Sequence, residues 1–298
     1  AMPLALAVQE QCGGLVVAVA LGRGGTPIAD LSKGTTPYNN VLTWVARAVD
    51  QVSIDYPSKT VRVEVLSFCH GEADSGSDIA TYTTARDQLF TDISADIALI
   101  TGQSSDPVFM VGQTSTLASG AALPSAYAAA DGVHVCYGPQ YAIGPYVDAS
   151  HLAPRGYTDL GVQMGLAYQR RDSDQRLRPI SALLYGDEVV VTFSVPRGQL
   201  IVDPSVTDDG TLGLNYRDST SSAHVVSARI INETDVLLKL SAVPSGSIKT
   251  IGVADRGSGN PGRNSGARSP LCDQSNRFNF ITGEWMPNRA LVAEIPVT

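Results

Sequence analysis

Lysine is scarce in this chain: only four of its 21 basic residues are Lys, and no block of Lys and Arg stands out. With 29 acidic residues the formal net charge is −8 and the isoelectric point lies near 4.9. Phosphate backbones and anionic lipid are held by clustered cations, so neither nucleic acid nor an anionic membrane surface is expected as the main partner. Long apolar runs are missing too. The longest, such as Leu15 to Leu21, fall far short of the roughly 20 residues that cross a bilayer, so no membrane insertion is expected. The opening residues Ala1-Met2-Pro3-Leu4 lack the positively charged start of a secretory signal. The four cysteines (Cys12, Cys69, Cys136, Cys272) form no CxxC pair and no metal-ligand spacing with the four histidines. Cys12, Cys69 and Cys136 lie in or beside apolar runs and read as free, buried thiols. What is present is enough apolar material for a real core. The chain has 298 residues, 43% hydrophobic and 17% charged, a length that suggests about two domains.

The two halves differ in texture. Up to about residue 175, short apolar runs alternate with helical patterns. Gly14 to Ala20, Val61 to Phe68, Ile97 to Thr101, Val108 to Gln113 and Val133 to Tyr137 read as strands. Tyr38 to Gln51 carries apolar residues at helical spacing, as do Gly156 to Arg170 and part of Asp78 to Ile100; Pro3 to Gln11 reads as the tail of another helix. Near-continuous apolar strands alternating with helices predict a parallel sheet covered on both faces. A polar stretch, Arg170 to Arg176, reads as a linker. Beyond it Glu188 to Val195, His224 to Ile231, Val236 to Leu240 and Ile248 to Ala254 are short strands between turn residues, a pattern that predicts an antiparallel β-sandwich. Gly257 to Ser269 is a long polar loop. The expected architecture is therefore α/β over residues 1–175 and an all-β sandwich over residues 176–298.

Chemistry is expected where strands give way to loops, the edge at which open parallel sheets place their sites. In Asp148-Ala149-Ser150-His151 the carboxylate can meet the imidazole Nδ1–H, fix the tautomer and leave Nε2 free as a general base. The alternative is a surface turn in which Asp148 caps the helix near Pro154. In Cys69-His70-Gly71-Glu72-Ala73-Asp74 the Gly permits close backbone approach, and the polar side chains after it are candidates to line a site. Cys69 and His70 point to opposite faces as strand neighbours, so they do not make a nucleophile pair. The bland reading of this segment is a turn with Asp74 or Ser75 capping the next helix. In Gly22-Arg23-Gly24-Gly25-Thr26-Pro27-Ile28 the paired glycines leave backbone N–H groups open to a developing anion, or simply form a tight turn. A metal-dependent hydrolase using His70, Asp74, Asp148 and His151 is a weaker reading, since no HxH or HExxH spacing exists.

The order GGTPI, HGEAD, DASHLAPRGY over roughly residues 10 to 170 resembles the SGNH/GDSL hydrolase superfamily, in particular its sialate O-acetylesterase-like carbohydrate esterases. The resemblance implies a three-layer α/β domain and a serine esterase removing acetyl groups from a glycan, without a cofactor. It makes His151 the general base and Asp148 its orienting carboxylate. It implies that Gly24 and Gly25 donate to the oxyanion, that His70 contacts oxyanion or substrate where the family more often has Gln, and that Glu72 is a buried carboxylate tying its loop to its neighbours. It also requires His151 to face the glycine-bearing loops rather than bulk solvent.

One part of the pattern is absent. The family carries its nucleophilic Ser in a turn after the first strand, ahead of the GGT segment, yet no Ser precedes GGTPI. Gly102-Gln103-Ser104-Ser105 mimics that turn but falls in the wrong place in the order. The expectation is a domain whose Ser-bearing first strand comes from an upstream segment or another chain. The alternative is a catalytically inactive glycan-binding or structural module of the kind displayed on cell surfaces or phage-like particles, with Tyr185, Tyr216, Phe278 and Trp285 as candidate sugar contacts, although aromatic residues of this kind more commonly belong to the core. Either way the implied partner is an acetylated polysaccharide or glycan, the implied location is extracellular or on a cell or virion surface, and a homo-oligomer is compatible with both.

Overall fold

The three strands that carry the candidate loops are Val65–Phe68 (β1), Val108–Gln113 (β2) and Val135–Pro139 (β3), which pair in parallel in that order. They are seen in a computed structural model that describes residues 1–114, 122–144, 146–148, 151–257 and 262–298. Side chains alternate across β2: Phe109 and Val111 join one apolar cluster, Val108 and Met110 another. The first cluster is closed by helices Thr36–Asp55 (α2) and Ile79–Thr101 (α3), through Tyr38, Tyr82, Phe90, Ile93 and Ile97. The second is closed by Met2–Cys12 (α1) and Pro154–Gln169 (α5), through Val8, Leu160, Met164 and Tyr168. The short helix Pro124–Ala128 (α4) lies between β2 and β3 in the chain. Parallel strands need cover on both faces, and these helices supply it.

The helices start and stop where local chemistry says they should. Thr35 accepts from the Tyr38 N–H at the start of α2, and Asp78 from the Thr81 N–H at the start of α3, so Asp78 is the cap rather than Asp74 or Ser75. Gly102, left-handed at φ 70°, ends α3. Two expected strands are not strands. Ile97 to Thr101 is the last turn of α3, because Ile97 continues the buried stripe of Phe90 and Ile93 and a short apolar run is ambiguous alone. Gly14 to Ala20 forms no strand: Leu15 and Val17 stand 78% and 73% exposed. A strand is a pairing, and among the described residues no strand lies on the outer edge of β1 to receive it. The expected Val61–Phe68 strand shortens to its last four residues.

The remaining strands are antiparallel. Arg178–Tyr185 (β4), Glu188–Ser194 (β5), Leu200–Val202 (β6), Leu214–Arg217 (β7), Val225–Ile230 (β8), Asp235–Leu240 (β9), Thr250–Val253 (β10), Leu271–Asp273 (β11) and Ala293–Pro296 (β12) form sheets ordered β4-β5-β9-β8, β12-β10-β7 and β11-β6. Their shared core holds Val189, Val191, Phe193, Leu214, Leu238 and Ile251, with Ala126, Tyr141 and Ala142 of the first half packed into it. Hydrogen bonds cross between the halves as well. Gln113, fully buried, donates to the Ala126 and Val292 carbonyls and accepts from the Val292 N–H, and the Tyr141 hydroxyl donates to the Ala290 carbonyl. The described structure is thus mixed α/β, one parallel three-stranded sheet with several antiparallel ones.

All four cysteines are unpaired; Cys272 is buried and Cys136 half-buried, but Cys12 and Cys69 are exposed, contrary to their apolar setting in the sequence. Leu238→Ala removes a fully buried side chain from the centre of β9 and is expected to cost about 2–5 kcal/mol, measured by urea unfolding.

Candidate active site

Three loops meet at the C-terminal edge of the parallel sheet. The loop after β1 opens with Cys69 and His70. The Phe68 and His70 rings stack on one face with centroids 4.8 Å apart, while the Cys69 sulfur accepts from the Gln140 side chain at 3.2 Å on the other. Desolvation pushes the Cys69 thiol up and the nearby Glu72 carboxylate adds to it, which leaves a poor nucleophile at neutral pH.

His70 is fully committed. Its Nε2–H donates to the Thr26 carbonyl at 2.8 Å, which fixes the tautomer, and Nδ1 then accepts from the Tyr82 hydroxyl at 3.0 Å. Both ring nitrogens thus have partners within the chain, and His70 braces the GGTPI segment against α3. Asp74 repeats the link, accepting from the Ile28 N–H at 2.9 Å. Gly71, at φ 145°, packs where a Cβ would meet the Ser125 hydroxyl at 1.9 Å. That hydroxyl pairs with Thr114, just past β2, at 2.8 Å, and both residues are buried. The motif HGEAD signals the close approach; which residues it approaches, 43 and 54 positions later, it does not say.

Glu72 is half-buried. Burial pushes its carboxyl above the ordinary range, and its own backbone N–H, His70 and His151 pull it down by less. His151 therefore lies within electrostatic reach of the HGEAD loop. Tyr157, in the first turn of α5, is likewise within reach of Cys69, Glu72 and Asp148.

Asp148 does two jobs with one carboxylate. Oδ1 accepts from the His151 N–H at 2.8 Å, and Oδ2 accepts from His151 Nδ1–H at 2.7 Å. It holds the turn and the ring together, and it does not cap α5, whose first turn has no side-chain cap. The His151 N–H is used inside the turn, and its carbonyl accepts from the Val147 N–H. The ring is also open, contrary to the expectation that it would turn away from bulk solvent: the His151 side chain is 67% exposed and that of Asp148 53%. Ala149 and Ser150 lie outside the described residues. Gly24 and Gly25 form an exposed turn, with Gly25 left-handed at φ 64° and its backbone N–H accessible.

No protein-family model matches the sequence, and no curated protein matches it. Among solved structures, the chain is similar to a carbohydrate acetylesterase from Xanthomonas citri, with TM-score 0.62 and 17% identity over 96% of this chain. The two share a fold. The chain spans 63% of that protein's length. A second likeness, to the N-terminal part of the bacterial S-layer protein SbsC, has TM-score 0.25 and 12% identity over 49% of this chain and 29% of that one.

The Gly102 to Ser105 turn is remote from all this. Gln103 bonds to Val63 and Ser105 ahead of β1 and β2, at the opposite end of the sheet. Among the described residues no group of three His, Cys, Asp or Glu is placed to hold a metal ion.

Two outcomes follow from this geometry. His70→Gln, whose amide can still donate to Thr26, should cost clearly less stability in urea unfolding than His70→Ala, which loses both hydrogen bonds at about 1 kcal/mol each and leaves the Thr26 carbonyl unpaired. Equal losses would deny the brace. Glu72 is easier to protonate in the folded state, so it favours folding below the ordinary carboxyl range near about 4.3 and this contribution is lost as pH rises through its raised value. Glu72→Gln should therefore raise the melting temperature at pH 7, with the gain vanishing in melts below pH 4.

Proposed function

We propose that this chain belongs to a serine-type carbohydrate O-acetylesterase of the SGNH class and contributes its His151–Asp148 couple. The observation that carries the reading is that couple, joined at 2.7 Å on the loop into α5, in a fold shared with a carbohydrate acetylesterase. In this reading residues 1–175 are the SGNH-like domain, residues 176–298 a β-sandwich accessory domain, and the partner an acetylated glycan outside the cell or on a virion surface.

The nucleophilic Ser is supplied from outside these residues, by an upstream segment or another chain. Two features support this: the outer edge of β1, unpaired among the described residues, and the exposed apolar residues Leu15, Val17 and Val19. A strand inserted there, followed by α1 and the 14–20 segment, would make the right-handed crossover that parallel strands adopt.

The steps then follow. His151 Nε2 takes the Ser hydroxyl proton as Oγ attacks the acetyl carbonyl. The oxyanion is met by the backbone N–H groups at Gly24 and Gly25. His151 passes the proton to the departing sugar oxygen, and Asp148 stabilises the imidazolium in between. Water, deprotonated by His151, attacks the acetyl-enzyme; acetate leaves and the Ser oxygen recovers the proton.

Turnover of an aryl acetate by the protein expressed from its full reading frame is the test. His151→Ala should lower kcat on the order of 10⁴-fold, and Asp148→Asn by less, since an exposed carboxylate acts through screened contacts. Equal rates for wild type and His151→Ala would end the proposal. The exposure of His151 favours a second reading, a glycan-binding surface module without catalysis; capture by an acetylated glycan with no acetate released would select it.

A further inference from the structure

Where α5 and the end of β3 meet the 277–289 segment there is a cavity of about 60 Å³, lined among others by Arg263, Arg277, Arg289, Asp159, Glu284 and Trp285. Its charges do not cancel. Asp159 is occupied by Arg155 and by the Asn279 amide, and Glu284 by Arg155. Arg289 reaches Asp203 with one terminal nitrogen, while its Nη1 has no acceptor among the described residues. Arg277 has no carboxylate partner among them: Nη1 donates to the Asn288 side chain and Nε to nothing. These two arginines are only 7% and 8% exposed.

A buried guanidinium without a counter-charge is a costly arrangement unless an anion completes it. The electrostatics agree. Burial and the neighbouring Arg170 push Arg277 down to about 10 against the weaker pull of Asp273, and burial with Arg289 pushes Arg263 down against Asp203, Asp159 and Glu284.

We infer that this cavity is a binding site for a small carboxylate, held by the forked N–H groups of Arg277 and Arg289. The planar guanidinium matches a carboxylate edge with two parallel hydrogen bonds, and the cavity has room for a group of a few heavy atoms. At its rim the exposed Trp285 offers an aromatic face on which a sugar ring can lie. The carboxylate can thus come from a free monocarboxylate or from an acidic sugar, and the site does not depend on His151.

Isothermal titration of the whole protein at constant ionic strength, with sodium acetate, sodium glucuronate and methyl glucoside as probes, tests this. A carboxylate should bind saturably and raise the melting temperature by roughly 3 °C at ten times its dissociation constant, while the neutral glucoside should do neither. Acetate matching glucuronate identifies a free carboxylate as the ligand; glucuronate binding tenfold or more tightly identifies a sugar-borne one. Arg277→Gln should lose at least tenfold in affinity. Arg263→Gln, at a less buried position, should lose severalfold and serves if the first variant does not fold. His151→Ala should bind as wild type. Absence of saturable carboxylate binding, or affinity unchanged in both arginine variants, would overturn the inference.

Discussion

The loops that carry the candidate chemistry have almost no regular structure of their own, and hydrogen bonds between them hold them in place. The central one is the bond from His70 Nε2–H to the Thr26 carbonyl, with Asp74 to Ile28 beside it. Together they fasten the glycine turn at residues 24 and 25 to the loop that follows β1, while Gly71 seats that loop on the Ser125–Thr114 hydroxyl pair beyond β2. A sheet edge whose loops are cross-tied this way presents its backbone N–H groups in fixed positions, the preorganisation that charge stabilisation in acyl transfer needs.

His151 stands apart from that network. Its tautomer and orientation come from a single carboxylate three residues back, which also holds the turn, so the couple is assembled locally and stays assembled in the open. Solvent weakens such a pair, and an imidazole base gains most in a site that excludes water.

The second half does more than append sheets. Gln113 and Tyr141 of the α/β half reach Val292 and Ala290, and Asn279 reaches Asp159 on α5. The arginine-lined cavity lies along this seam, so its shape depends on both halves being folded against each other.

Several features were legible in the sequence because they are local. The spacing of apolar residues located α2 and α5, and turn residues bounded β5, β8, β9 and β10. The three-residue step from Asp148 to His151 is short enough for one turn to realise it. Periodicity misread Ile97 to Thr101, since four apolar residues suit a strand or a buried helix face equally until Phe90 and Ile93 are seen on the same stripe. Gly14 to Ala20 has the residues of a strand and lacks the partner, which no local pattern can reveal. His70 was read as a free donor because its type and position permit that. Only the folded chain, bringing Thr26 from 44 residues away and Tyr82 from α3, uses up both ring nitrogens. The same holds for Arg277 and Arg289, which in sequence are scattered charges and become buried neighbours around one cavity only by tertiary packing, with the exposed Arg263 lining it as well. Sequence by itself determined most of the helices and antiparallel strands and the local His–Asp couple, whose energetics lie within a few residues. Tertiary structure decided which polar groups are already satisfied and which remain available, because hydrogen-bond capacity is spent on partners that are distant along the chain.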